Sequence, residues 1–137
     1  MSPLRRSRRR ASPGLRATLE AFAASRAAVE DAKEALVATV RTGRVEGVPL
    51  AEGLARFEFL LRGAAEGMPG WRSEETEAVW AVCDAGVAES LRRAGRFRLE
   101  GSPRVYEELI ADVDHLLEPL DAFADAAAAI RALGRGA

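Results

Sequence analysis

Glu108, Asp112 and His115 follow one another at spacings of four and three, which stacks two carboxylates and an imidazole along one flank of a helix. An imidazole with a carboxylate one turn away can serve as a general base or as a ligand pair. Asp112 falls about 50° from the centre of the apolar stripe of its helix, so the trio belongs to the boundary between core and solvent. His115 is the sole histidine, and that count bounds the chemistry. A di-iron bundle needs two Glu-x-x-His pairs, and Asp112-x-x-His115 is the nearest approach to one. Zinc would have to draw on His115, Cys83 and carboxylates, but Cys83 falls inside an apolar stripe, where a thiol behaves as a small hydrophobe. The trio also has a purely structural reading. Arg26 and Lys33 occupy the margin of the first helix, and pairing them with Glu108 or Asp112 would set how the first and last helices pack.

Other chemistry has less support. Asp114, Glu118, Asp121 and Asp125 align on one face and could in principle hold Mg²⁺. That face lies about 160° from the apolar stripe, so it is expected to be solvated. One histidine must serve any nucleophile, and neither a nucleophile-elbow nor a Cys-His signature is present. Gly43, Gly47, Gly67 and Gly70 punctuate helix ends and match no phosphate-binding spacing. No residue pattern calls for a cofactor.

The elements that would position these groups follow from periodicity. Over residues 15–42, Leu15, Leu19, Phe22, Val29, Leu36 and Val40 form one stripe, stopped by Gly43. Pro49 opens a second helix carrying Leu50, Leu54, Phe57, Leu61, Ala64 and Met68, ending near Glu66, after which Trp71 should fold back over the core. Ser73 is an N-cap, with Glu74, Glu75 and Glu77 suited to the first turn of a third helix. Its stripe runs Val79, Trp80, Cys83, Val87, Leu91, Ala94 and Phe97, and Gly86 within it predicts a tight crossing. Gly101, Ser102 and Pro103 start a fourth helix, in which Tyr106, Leu109, Val113, Leu116, Leu120, Phe123, Ala127 and Ile130 keep their spacing through Pro119. Proline there predicts a kink around residues 115–119. The expected fold is all-α: an up-and-down four-helix bundle over residues 14–134, with a Pro-kinked last helix.

Composition agrees, since 28 Ala and 15 Leu outnumber the 12 Val plus Ile. Residues 1–13 hold Arg5, Arg6, Arg8, Arg9 and Arg10 among Ser and Pro and read as a disordered basic tail. With Arg16, residues 1–16 hold six Arg and no acid, leaving a body of 14 basic and 21 acidic residues, a charge of −7 that should repel phosphate and disfavours a nucleic-acid partner. One cysteine excludes an internal disulfide, and no apolar run approaches the roughly 20 residues of a membrane span. Charges at Glu20, Arg26, Glu30, Asp31, Lys33 and Glu34 break any signal-peptide core, so a cytoplasmic location is expected. Phe59 projects about 160° from the core line of the second helix, beside Arg56, and would form an outward apolar patch. The expected role is therefore a non-catalytic protein-protein interaction or structural module, as a homodimer or with another protein. The competing role is a ligand- or metal-binding bundle, even an enzyme, built on Glu108, Asp112 and His115.

Overall fold

The computed structural model describes residues 13–41, 47–100 and 103–136. The basic segment at 1–12, the connection at 42–46 and the break at 101–102 lie outside the described residues, and of Leu50 and Tyr106 only the backbone is described. The elements are α1 (Pro13–Arg41), α2 (Gly47–Gly67), α3 (Glu77–Glu100), α4 (Pro103–Ala111), α5 (Asp114–Leu117) and α6 (Ala122–Gly136). Two 3-10 turns, Met68–Trp71 and Glu118–Asp121, join α2 toward α3 and α5 to α6. The protein is an all-α helical bundle, and none of the described helices is long and apolar enough to cross a membrane. Pro13 is the first residue of α1, where its missing N–H would have no helical partner in any case.

Neighbouring segments run antiparallel. Ser25 on α1 meets Ala64 on α2, whereas Gly53, near the start of α2, meets Thr39 near the end of α1. A Cβ at Gly53 would come within 2.2 Å of the Thr39 hydroxyl, so glycine permits this close approach. The core is made by the expected stripes, Phe22, Val29 and Leu36 of α1 against Leu54, Phe57, Leu61 and Ala64 of α2, with Ala32 buried beside them. Trp80, Cys83, Val87 and Ala94 of α3 complete it together with Leu109, Leu116, Leu120, Phe123 and Ile130. Each large apolar side chain so buried contributes about 1.5–3 kcal/mol relative to exposure.

Trp71 does fold back. It is fully buried, edge-on to Phe22 at 4.9 Å and within 6.3 Å of Phe123, so one indole joins α1, α6 and the end of α2. Its polar atoms are satisfied: Nε1 donates to Ser25 Oγ at 3.1 Å, and its carbonyl accepts from Thr76 Oγ1 at 2.7 Å. Trp80 Nε1 donates to the Met68 carbonyl at 2.8 Å, binding α3 to the same turn. The entry to α3 is a reciprocal cap. The Ser73 N–H donates to Thr76 Oγ1 (2.9 Å) and the Thr76 N–H to Ser73 Oγ (3.3 Å), with Thr76 where a capping box would have Glu. Regular helix therefore starts at Glu77, later than the expected start at Ser73.

The last segment is divided more widely than a kink at 115–119. Turns at 112–113 separate α4 from α5, and a 3-10 turn containing Pro119 separates α5 from α6. Proline at 119 offers no N–H to the His115 carbonyl, which must find another donor. Arg93 Nη1 supplies it at 2.7 Å, and Ser90 Oγ donates to the Leu116 carbonyl at 2.5 Å. One turn earlier on α3, Gly86 lies against Pro119 itself. A Cβ there would stand 2.1 Å from the Pro119 oxygen and 3.2 Å from its carbonyl carbon. The tight crossing predicted at Gly86 is thus a helix-to-turn contact.

Because the clashing atoms are backbone, Gly86→Ala cannot be relieved by a rotamer change. We expect a loss of about 1–3 kcal/mol by overpacking, outweighing the gain of about 1 kcal/mol in helix propensity. Gly95→Ala, at a position with nothing within 4 Å, should stabilise. Urea unfolding followed by circular dichroism distinguishes the two: the midpoint falls for the first and rises for the second.

Candidate functional site

Glu108, Asp112 and His115 line a cleft of about 330 Å³ between the end of α3 and the α4–α5 corner. Glu108 belongs to α4, Asp112 to the turn and His115 to α5, so the helix break sets the lie of their backbone. The opposite wall comes from α3: Arg93, Arg96 and Phe97. A cationic wall thus faces a wall of carboxylates and an imidazole.

The charged groups differ in how far they are already engaged. Arg93 is half-buried, donating through Nε to Glu89 at 3.0 Å and through Nη1 to the His115 carbonyl, which leaves part of its five-donor fork unused. Glu89 also pairs with Arg92, and the two guanidinium groups hold its carboxyl far below the ordinary range, at about 2. Glu108 has a loose neighbour in Arg104 at 3.9 Å. Among the described residues, the side chains of Arg96, Asp112 and His115 have no hydrogen bond or ion pair. No group of three or more His, Cys, Asp or Glu side chains among the described residues comes together as a metal-holding set.

Arg26 and Lys33 are not brought to this cleft, so the expected boundary network with Glu108 or Asp112 does not form. Lys33 pairs with Glu30 at 3.7 Å on its own helix. Arg26 lies at a separate groove of about 560 Å³ between α1 and α6, with Glu30 and Arg131. Leu19, Phe22, Ala27, Ala127 and Ile130 give that groove its apolar lining. The reason is geometric. Arg26 lines the α1–α6 groove and Lys33 turns to Glu30 on α1, whereas the trio lies at the α4–α5 corner and packs toward α3.

Phe59 is 71% exposed on the outer face of α2, and Arg56 is exposed beside it on the helix. Asp114, Glu118, Asp121 and Asp125 are all exposed. Cys83 is buried, and desolvation pushes its thiol up to about 12, which makes it a poor nucleophile and a poor ligand at neutral pH. Glu58 is an unexpected core residue, 2% exposed within the stripe of α2 and paired with Arg98 of α3 at 3.0 Å. Its spacing of four from Leu54 and three from Leu61 marked it as core-facing, and a carboxylate there requires a cationic neighbour.

The cleft's α3 half was also missed by sequence reading. The signal lay in the heptad-like series Gly86, Ser90, Arg93 and Phe97, which continues the face of the predicted tight crossing. No protein-family model matches the chain, and no curated protein or solved structure matches it.

Glu89 steadies the Arg93 clamp, and its titration should be visible in stability. A carboxyl depressed in the folded state adds stability that is fully present above the ordinary carboxylate range and is lost as pH falls through about 2. The gap in melting temperature between the native chain and Glu89→Gln should therefore be widest near neutrality and shrink as acid is added. Thermal melts across an acid pH series check this, and a gap independent of pH would contradict it.

Proposed function

We propose that the protein is a small helical interaction module acting by contact with another macromolecule, and that its partner at the α1–α6 groove is a second copy of the chain. The observation that carries this reading is the groove itself. α1 and α6 touch sparsely, which leaves an open seam floored by the buried Phe22, Ala127 and Ile130, with half-buried Leu19 at its edge. Exposed Ala23 and Ala27 on the α1 side have no bulk to hold another helix away.

The charges at the rim favour self-association over an acidic or basic partner. Arg26 and Arg131 stand beside Glu30, so both signs are present on the same surface. In an isologous dimer each surface meets its own copy, and a rim of mixed sign can pair with itself. The outward Phe59 on α2 is a second apolar feature, but Ala55, Arg56, Arg62 and Gly63 one turn away add little apolar bulk to it, and isolated exposed aromatics are common on monomers.

Light scattering of the full-length protein over a concentration series tests the reading, with Ala27→Glu and Phe59→Glu as variants. Both positions are exposed, so neither change disturbs the core. We expect a dimer that Ala27→Glu weakens by about ten-fold or more, corresponding to about 1.4 kcal/mol or more, while Phe59→Glu leaves it intact. A dimer lost only with Phe59→Glu would move the contact to the outer face of α2. A monomer at every concentration would overturn self-association.

A further inference from the structure

We infer that the cleft between α3 and the α4–α5 corner binds a small zwitterion, a molecule carrying an anionic group and an amine separated by a short apolar body. This inference rests on residues of α3, α4 and α5 and is independent of self-association through the α1–α6 groove.

The first argument is the separation of charge. Arg93 and Arg96 stand on one wall and Glu108 and Asp112 on the other, yet among the described residues no ion pair closes across the cleft. Opposite charges that face each other across a gap suit a bipolar occupant, whose anionic end meets the guanidinium groups while its amine meets the carboxylates. A simple anion would leave the carboxylate wall opposed to it, and a simple amine would leave the arginines so.

The second argument is the availability of donors and acceptors. Arg96, Asp112 and His115 have no side-chain partner among the described residues, so binding them breaks no internal contact. Arg93 has unused N–H groups even while it holds Glu89 and the His115 carbonyl. The planar guanidinium can take a carboxylate or phosphate through two parallel hydrogen bonds.

The third argument is size and lining. A volume of about 330 Å³ lies at the lower end of the range for ligand pockets, about 300–1,000 Å³, and fits a compound of amino-acid to dipeptide size. Phe97 is half-buried in the α3 wall and offers an aromatic face for the aliphatic body or the ammonium group. The carboxylate and arginine walls are on different elements, which favours an amine and acid several bonds apart over the adjacent pair of an α-amino acid.

The single histidine is a built-in reporter, because its ring resonances need no assignment against others. The test follows the His115 ring signals of the full-length protein by NMR, with affinities from calorimetry. The titrants are glycine, γ-aminobutyrate and ε-aminocaproate, with butyrate and butylamine as one-charge controls. We expect γ-aminobutyrate or ε-aminocaproate to shift the His115 signals saturably and to bind about ten-fold or more tightly than either control. Arg96→Ala and Asp112→Asn should each remove most of that preference. Both side chains are exposed, and circular dichroism verifies that the variants keep their helicity. Equal binding of two-charge and one-charge titrants, retention of the preference in both variants, or the absence of any saturable shift would each overturn the inference.

Discussion

Pro119 withholds one hydrogen-bond donor, and much of the molecule is arranged around that deficit. The carbonyl so released, that of His115 at the surface of the bundle, takes its donor from water or from another side chain. The answer is written on α3, where Gly86, Ser90 and Arg93 fall on one face at spacings of four and three. Glycine lets the turn come close, serine serves the Leu116 carbonyl, and arginine serves that of His115. The same contact fixes the angle at which α5 leaves α4, so the lie of the His115 backbone, and with it the cleft, depends on how this break is satisfied.

Periodicity made the helices legible, because burial on one side imposes its spacing on the residues whatever the partner is. Phe22, Val29, Leu36, Leu54, Phe57, Leu61, Cys83, Val87, Leu116 and Phe123 were all readable as core and are all buried. Trp71 was readable too, since a large aromatic at the end of the turn made by Gly67, Pro69 and Gly70 has to find cover. Periodicity is silent on which helix faces which. Arg26 and Lys33 were therefore paired with the wrong neighbours, while Arg98, which neutralises buried Glu58, went unnoticed. Half of the cleft, the trio at spacings of four and three, was legible as a flank of one helix. The α3 half was not, because its approach depends on the break, and the extent of the break exceeded what one proline announces.

Two surfaces with opposite physical character result. The α1–α6 groove is apolar with charges only at the rim, and its attraction for a neighbour would come from removing the aliphatic surface of Leu19, Ala23 and Ala27 from water. The α3–α5 cleft is polar on both walls, and its selectivity would come from matching charge positions. Phe22 and Phe97 each lend an aromatic ring to one of them, the first from the core cluster around Trp71 and the second from the end of the α3 stripe.

The thin contact between α1 and α6 also shapes how the molecule breathes. α1 and α2 form one intimate antiparallel pair, and α3 with the last segment forms another, bound by the carbonyl clamp. What joins the pairs is the α2–α3 interface and the cluster of Trp71, Phe22 and Phe123. Partial unfolding should then proceed as a parting of two hairpins along the α1–α6 side, with Trp71 near the pivot. In amide hydrogen exchange such a molecule behaves as two cooperative units instead of one, each protected by its own internal packing and exposed to solvent first along the shared edge.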